Sequence, residues 1–220
     1  MAAGSNIRQL AWKRRVTAIQ YFVGAVVLTA LPFTGNHLLR QLAPIARVTF
    51  VVPVWVYPLC FCAAALLVWG GLHFWKRAGH ADQGAAGESD VAAVLQPLKQ
   101  SGWQVYYGIK DRRVGDIDVF LLAPSGKAYT MDVKSHGGFV RSKSGQLFRQ
   151  YGKETHTFEK DFLVQARSQA AVMQDRRGLA HVTPAIVFSK ASVAVANPVN
   201  GVYVWSKSKV VAQLQKLESA

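Results

Sequence analysis

Two aspartates and a lysine lie on a pair of apolar segments that otherwise have the pattern of β-strands. The segments are GDIDVFLL and KAYTMDVKS, and they carry Asp118, Asp132 and Lys134. Side chains at positions i and i+2 of a strand share a face, so Asp132 and Lys134 are expected to point the same way. If the intervening turn is centred on Ser125, Asp118 lies directly opposite Asp132. A two-residue turn would instead put the two aspartates on opposite faces.

Facing carboxylates of this kind are suited to metal chemistry. Two like charges on neighbouring strands repel each other, and folding alone does not require such a pair. Mg²⁺ (or Mn²⁺) would remove the repulsion, since each aspartate can lend an oxygen while other coordination positions stay open for water and a phosphate. Lys134 would then orient an attacking water or neutralise charge in the transition state. The alternative is a solvated hairpin face with a local Asp132–Lys134 ion pair, worth less than about 1 kcal/mol.

Charge and hydropathy divide the chain into two parts. The 220 residues include 26 Lys and Arg and 12 Asp and Glu, but residues 1–80 contain no acidic residue. A basic part without carboxylates is expected beside anionic lipid, and the moderately basic remainder is expected to meet phosphates. Half of the residues are apolar, which excludes a disordered protein. Cys60 and Cys62 lie in an apolar run and predict neither a disulfide nor a zinc site.

Two uncharged segments are long enough to cross a membrane. Residues 16–33 and 48–75 contain no charged residue, and about 20 apolar residues span the hydrocarbon core. Basic residues are more frequent outside the two segments than between them, so the positive-inside rule places both ends in the cytoplasm. We therefore expect a multi-pass anchor in a bacterial inner (cytoplasmic) membrane. A cleaved signal peptide and a pair of buried helices in a soluble protein are the alternatives.

A polar, glycine-rich stretch follows the apolar part and indicates a domain boundary. We expect a transmembrane helical hairpin over residues 1–77, a flexible linker over 78–87 and a cytoplasmic domain over 88–220. Hydrophobic periodicity in this domain predicts a helix, three strands, a helix, two strands and a helix. This order indicates an α/β fold with a mixed β-sheet flanked by helices. The sequence has no Walker loop, GxSxG, HExxH or paired-cysteine motif.

Four pieces of this domain, in order, resemble the nuclease-related domain (NERD), a branch of the restriction-endonuclease-like PD-(D/E)xK superfamily. They are GESDVAAVLQPL, GDIDVFLLAPSGKAYTMDVKSHGG, FLVQA and TPAIVFS, and the resemblance covers residues 84–216. It implies a restriction-endonuclease-like sheet and Mg²⁺-dependent cleavage of nucleic-acid phosphodiesters. We expect the substrate to be DNA rather than RNA. The residues that match the family's catalytic positions are Glu88, Asp118, Asp132, Lys134 and Gln165, of which the three acids would hold the metal.

Two features depart from the family pattern, and two further residues have more than one interpretation. The family more often has Glu at the position of Asp132, and Asp116 supplies a second acid near Asp118. Asp116 could bind a metal through water or cap the turn. His136 shares the face of Lys134 only if the strand continues, whereas the glycines that follow it favour a loop. Glu88 at the start of a helix is also explained by the helix dipole.

Basic and aromatic residues are interspersed between the hairpin and the next helix. The basic residues are Arg141, Lys143, Arg149, Lys153 and Lys160, and the aromatic residues are Phe148, Tyr151 and Phe158. This composition is typical of a surface that follows a phosphate backbone, and it also fits a solvated loop beside anionic lipid. Three functions stay open: a membrane-anchored nuclease, a non-catalytic nucleic-acid-binding module of a membrane complex, and an assembly subunit of such a complex. The expected partners are nucleic acid, the lipid bilayer and proteins of that complex.

Overall fold

The computed structural model of the chain describes residues 3–46 and 51–219 and divides into two compact units. Unit 1 comprises Met1–Arg8 and Asp82–Ala220, and unit 2 comprises Gln9–Ala81. Two long helices, α1 (Ser5–Ala46) and α2 (Val56–Gln100), contribute residues to both. The first eight residues were expected in the membrane hairpin, but they belong to the unit that carries the α/β fold.

Unit 2 is a pair of apolar helical segments that pack side by side. The ring centroids of Phe33 and Tyr57 are 5.3 Å apart, and those of Tyr21 and Phe74 are 5.5 Å apart, so the segments run antiparallel. Both helices are long and apolar enough to cross a membrane, and only 17% of the most apolar window of each is buried. Core helices of a soluble protein bury their apolar side chains, which these do not.

The boundaries of the hairpin differ from the predicted ones. α1 continues through the predicted connection as far as Ala46, and residues 47–50, which include the start of the predicted second span, lie outside the described residues. α2 begins at Val56, whose N–H donates to the carbonyl of Pro53 at 3.0 Å. Pro58 lies in the first helical turn, where the backbone N–H has no intrahelical partner and its loss is tolerated.

Residues 78–87, expected as a flexible linker, are helical. α2 runs through this stretch and includes the helix predicted to begin near residue 88. Four alanines lie in the stretch, and Ala has the highest helix propensity of the amino acids. Three of them, Ala78, Ala81 and Ala85, are buried. The stretch is therefore helical and not the flexible linker that was expected. Burial of the alanine side chains offsets the low helix propensity of the intervening glycines.

The elements of unit 1 after α2 form two mixed β-sheets with flanking helices. In chain order they are β1 (Gln104–Ile109), β2 (Ile117–Leu122), β3 (Ala128–Lys134), β4 (Phe139–Lys143), β5 (Gln146–Tyr151), β6 (Glu154–Thr157), α3 (Phe162–Arg177), β7 (Val182–Phe188), β8 (Ser192–Val193), β9 (Tyr203–Ser206) and α4 (Val210–Glu218). The larger sheet has the order β1-β2-β3-β7-β9, and the smaller has the order β6-β5-β4-β8. β3 pairs in parallel with β7, and its other neighbour β2 is antiparallel.

Helices cover both faces of the larger sheet. On one face α2 and α4 pack through Leu95, Leu98 and Leu214 against Met131 and other sheet residues. On the other face α3 packs against residues of β2, β3 and β7, in two clusters that include Phe120, Ala166, Ala170, Met173, Ile186 and Phe188. The predicted α/β class with a mixed sheet flanked by helices is confirmed. The polar end of β3 lies between these apolar layers.

The smaller sheet was not predicted, although its turns have recognisable chemistry. β4 and β5 are joined by Ser144 and Gly145, with φ of 51° and 75°, and Lys143 pairs with Gln146 across them. Positive φ at both residues of a two-residue loop is the type I′ hairpin turn, which favours glycine at its second position. The Ser-Gly dipeptide could therefore have indicated the β4–β5 hairpin, but the basic residues of the segment were interpreted as a binding surface instead.

The N-terminal cap of α3, the helix that packs over the polar end of β3, can be tested by mutation. The Asp161 carboxylate accepts from the N–H groups of Leu163 at 2.9 Å and Val164 at 3.1 Å. Asp161→Ala should lower the free energy of unfolding of unit 1 by about 1 kcal/mol, because two helix N–H groups lose their acceptor. Urea denaturation of the full chain in detergent, followed by tryptophan fluorescence, measures this.

A matched acid on the same helix provides the control. Asp175 lies in the last turn of α3 and its side chain is 73% exposed. Asp175→Ala should change the free energy of unfolding by less than about 0.5 kcal/mol, and Asp161→Ser should retain most of the wild-type value. Equal losses in Asp161→Ala and Asp175→Ala would contradict the assignment of the cap.

Candidate active site

The register of the β2–β3 hairpin brings two aspartates together. The turn spans residues 124–126, and Val119 pairs with Met131. The turn is therefore centred on residue 125, as the first of the two predicted registers requires. Continuing the ladder by one pair puts Asp118 opposite Asp132, on the face of the sheet that α3 covers.

Both aspartates are in an environment that disfavours their charged forms. The Val133 N–H donates to Asp118 Oδ2 at 2.7 Å, and Asp132 is 3% exposed. Burial raises the pKa of Asp118 well above 3.8, and the negative charges of Asp132 and Glu88 raise it further. Burial also raises the pKa of Asp132, against the opposing effect of Lys134. Two neighbouring carboxylates are thus held where water compensates their charge only weakly.

Lys134 is held on the same face by contacts from two directions. Its Nζ lies 2.7 Å from Asp132 Oδ2 and donates to Gln165 Oε1 at 3.3 Å. The ammonium also lies 4.4 Å from the ring centroid of Phe162, at the start of α3. The contact with Asp132 is a short ion pair, and each carboxylate oxygen has a second lone pair with which it could bind a metal. The ammonium is therefore fixed beside the carboxylates before any substrate arrives.

Glu88 reaches the edge of this group from α2. The preceding residue, Gly87, lies so close to the ends of β3 and β7 that a Cβ there would be 3.2 Å from Ser135 Cβ and 2.8 Å from Ser189 Oγ. Glycine therefore permits the helix to approach the strand ends. Glu88 is buried, and its Oε2 accepts from the Gly4 N–H at 2.9 Å. Burial raises its pKa, the Gly4 N–H lowers it, and the charges of Asp116 and Asp132 raise it.

The donor set fits a divalent cation held by two residues. Among the residues that the structure describes, no three His, Cys, Asp or Glu side chains converge as a ligand set. Asp118 and Asp132 converge as a pair, and three acids with one lysine leave excess negative charge that Mg²⁺ or Mn²⁺ would neutralise. A magnesium site commonly uses one or two carboxylates and completes its coordination with water and substrate phosphate. Asp118 and Asp132 would hold the ion, and Glu88 would contribute through water.

Asp116 and His136, which each had two interpretations from the sequence, lie near the site in the chain. Asp116 is exposed and precedes β2, and its Oδ2 accepts from Asn6 at 3.2 Å. β3 ends at Lys134, so His136 lies in the loop that the glycines favoured. Its ring meets the edge of Phe158, with centroids 5.4 Å apart, and its Nδ1 is buried without a hydrogen-bond partner. Burial lowers the pKa of His136, as do the positive charges of Arg149 and Lys134.

The five basic residues predicted to bind nucleic acid do not form one surface. Arg149 pairs across the ladder with buried Val140 and therefore shares its face. The Arg149 guanidinium lies 5.0 Å from the ring centroid of Tyr151 and 6.0 Å from that of Phe158. Arg141 and Lys143 alternate with Val140 on β4 and are exposed on the opposite face; Lys153 and Lys160 are exposed in a turn and in the loop before α3. Of these five residues, Arg149 is the one whose charge helps to lower the pKa of His136.

Sequence reasoning missed two contributors to the site. The ring of Phe162 packs against the ammonium of Lys134. No sequence motif indicates that a residue at the start of α3 lies beside this lysine. Gly4 supplies a backbone N–H to Glu88, from which it is separated by 84 positions in the chain. No local pattern can indicate a contact of this separation, since it depends on tertiary packing alone.

The raised pKa of Asp118 gives a test of the electrostatics without metal. A carboxyl whose pKa is higher in the folded than in the unfolded chain favours folding below the unfolded value of 3.8, and that contribution is lost as the pH rises through the folded pKa. In chelator, the unfolding temperature of wild type should therefore fall more between pH 5 and pH 8 than that of Asp118→Asn.

Asp90 is a suitable control because its side chain is 52% exposed. The unfolding temperature of Asp90→Asn should follow that of wild type across this pH range. Addition of Mg²⁺ should bring the fall in unfolding temperature of wild type between pH 5 and pH 8 closer to that of Asp118→Asn. Parallel pH profiles for wild type and Asp118→Asn would contradict the raised pKa of Asp118.

The family model of the nuclease-related domain (NERD) matches residues 83–189. No curated protein and no solved structure matches the chain at a significant level. The matched segment extends from the part of α2 that carries Glu88 to the end of β7, and it contains the β2–β3 hairpin and α3. Residues 83–189 of this chain therefore match the nuclease-related domain, as the resemblance predicted.

Proposed function

We propose that the chain is a membrane-anchored, metal-dependent nuclease that hydrolyses phosphodiester bonds of nucleic acid, with DNA as the favoured substrate. The observation that carries this proposal is the position of Asp118, Asp132 and Lys134 on one face of the β2–β3 hairpin, within a nuclease-related domain. The resemblance to restriction-endonuclease-like enzymes supports DNA over RNA.

Each residue of the group has a role that follows from its contacts. Asp118 and Asp132 would hold Mg²⁺ or Mn²⁺, which when bound supplies Lewis-acid activation of water and neutralises phosphate charge. The Val133 N–H fixes the orientation of Asp118. Lys134 donates to a non-bridging phosphate oxygen or to the attacking water, where charge develops in the transition state. Gln165 positions Lys134 by accepting a hydrogen bond from its ammonium group.

The aromatic cluster beside Lys134 supports a path for the nucleic-acid backbone. Phe158 contacts both the His136 ring and the Arg149 guanidinium. Arg149 Nε and His136 Nδ1 are buried polar atoms without hydrogen-bond partners, and such atoms are costly unless a ligand or water satisfies them. A phosphate adjacent to the one being cleaved would supply acceptors to the arginine.

The two apolar helices support the membrane anchor. Their most apolar windows are largely unburied, which suits lipid contact. Basic residues at positions 13–15 precede the first apolar segment, and Lys76 and Arg77 follow the second. By the positive-inside rule, both termini and the nuclease-related domain would face the cytoplasm of a bacterial inner membrane. The lipid bilayer, and proteins of a membrane complex, are then the partners of this part of the chain.

A non-catalytic nucleic-acid-binding or assembly module is the second candidate function. The observation that favours it is that Glu88 is engaged by the Gly4 N–H and that two carboxylates, rather than three, converge within the described part of the chain. Asp at position 132, where the family more often has Glu, shortens the ligand by one methylene. Such a module would bind nucleic acid without cutting it.

Cleavage assays with paired variants separate the two functions. The full chain in detergent is incubated with single- and double-stranded DNA and RNA, in Mg²⁺, Mn²⁺ or chelator. Asp132→Asn and Lys134→Gln should each lower the cleavage rate by a factor of about 100 or more, since each removes a group that acts on the reacting phosphate. Chelator should abolish cleavage.

The chain contains a matched surface pair for the control. Lys207 Nζ lies 2.7 Å from Asp90 Oδ2, the same separation as in the Lys134–Asp132 pair, but both side chains are substantially exposed. Asp90→Asn and Lys207→Gln should leave the cleavage rate unchanged within about twofold. Metal-independent cleavage, or full activity in Asp132→Asn, would reject the nuclease assignment. Binding without cleavage would favour the non-catalytic module.

The role of Arg149 is tested by the salt dependence of binding. Arg149→Gln should reduce the slope of log affinity against log salt concentration by about one, because one phosphate contact is lost. Arg176→Gln, at the opposite end of α3 from Gln165, should keep the wild-type slope. Fluorescence anisotropy with a labelled oligonucleotide in chelator measures both, and equal slopes for wild type and Arg149→Gln would exclude Arg149 from the binding surface.

A further inference from the structure

Residues 3–8 precede the apolar part of α1 and pack on the nuclease-related domain; we call them the N-terminal strap. We propose that the strap is a positioning element of the active site, which holds the Glu88 carboxylate in place through the Gly4 N–H. This inference rests on the proposed nuclease function, because Glu88 is assigned to the site by that function. It adds to the site a segment that lies outside the family match over residues 83–189.

Four residues of the strap contact the domain. Ala3 packs against the apolar core between α2 and the larger sheet. The Gly4 N–H donates to Glu88 Oε2 at 2.9 Å. Asn6 Nδ2 donates to Asp116 Oδ2 at 3.2 Å, and an Arg8 guanidinium nitrogen donates to Ser89 Oγ at 2.9 Å. The strap thus binds both acids that flank the Asp118–Asp132 pair.

The fit around Gly4 allows no side chain. Gly4 is buried and has a φ of +72°, a conformation that residues other than glycine rarely adopt. A Cβ at this position would lie 2.8 Å from the Ala85 carbonyl oxygen and 3.2 Å from Ala85 Cα. These are backbone atoms of α2, which cannot move aside without shifting the helix. The close approach is what brings the Gly4 N–H within hydrogen-bonding distance of Glu88.

The bond matters because Glu88 is 7% exposed and lies among other acids. The charges of Asp116 and Asp132 repel its carboxylate, and the Gly4 N–H attracts it. A backbone N–H donated to a buried carboxylate is a strong, directional contact. It fixes the Glu88 rotamer against this repulsion, so that the second carboxylate oxygen has a defined direction relative to Asp118 and Asp132. A displacement of about 1 Å in such a group can cost a factor of 100 in rate.

Kinetics of the full chain in detergent test the inference. Gly4→Ala, Glu88→Gln and the double variant are compared with wild type for kcat and KM on the DNA that wild type cuts, in Mg²⁺. Gly4→Ala should lower kcat by about tenfold or more with KM changed by less than about twofold. The double variant should be no slower than Glu88→Gln, since the two changes act through one interaction. Independent losses that multiply in the double variant, or a wild-type kcat in Gly4→Ala, would overturn the inference.

The control separates the clash at Gly4 from its backbone conformation. Gly152 also has a positive φ, of +57°, but a Cβ there would have nothing within 4 Å. Gly152→Ala should keep the wild-type kcat. Because Gly4→Ala could fail to fold, a second variant, Asn6→Ala combined with Arg8→Ala, weakens strap docking without a clash and should also lower kcat by several-fold.

Hydrogen exchange gives a readout that needs no catalysis. The Gly4 amide should be protected in wild type, and Glu88→Ala should accelerate its exchange by about tenfold or more, whereas Asp90→Ala should not. If wild type cuts no substrate while Glu88→Ala still releases the Gly4 amide, the nuclease assignment fails and the strap contact stands. If the Gly4 amide exchanges equally fast in wild type and Glu88→Ala, the strap does not hold Glu88 and the inference is rejected.

Discussion

The polar end of β3 depends on one electrostatic constraint: two carboxylates on neighbouring strands, the buried Asp132 and the half-buried Asp118, face each other with a single ammonium to compensate them. Asp118 and Asp132 are brought together by backbone pairing, which fixes their separation regardless of their mutual repulsion. Lys134 offsets part of the charge. The remainder is what makes the pair suited to a divalent cation, because a cation converts the repulsion into a favourable interaction.

The surrounding elements keep this constraint from relaxing. α3 covers the face of the carboxylates and provides Gln165 and Phe162 to Lys134. α2 approaches the strand ends because Gly87 has no side chain, and it delivers Glu88. The N-terminal strap then reaches Glu88 and Asp116. The strap therefore orients Glu88 and Asp116, and β3 orients Asp118 through the Val133 N–H, which is typical of a preorganised site.

The sequence was informative where the chemistry is local. Period-2 alternation left two registers for the hairpin, and the one centred on Ser125, in which Asp118 faces Asp132, is the one observed. Uninterrupted apolarity predicted two membrane-spanning helices. The sequence was less informative where one composition allows two structures: the alanines of residues 78–87 favour helix while their glycines suggest a linker, and the basic segment after β3 concealed a type I′ turn at Ser144 and Gly145. Contacts between distant residues, such as Gly4 with Glu88, left no local pattern.

The surroundings of Lys134 restrict what this residue can offer a substrate. Of its three N–H bonds, one is given to Gln165, a second is drawn toward Asp132, and the Phe162 ring covers a further side of the ammonium. A substrate oxygen can therefore approach the ammonium only from the directions that these three groups leave open. A planar guanidinium could not divide its donors in this way. The compact ammonium of Lys134 therefore fits the contacts around it as well as supplying positive charge.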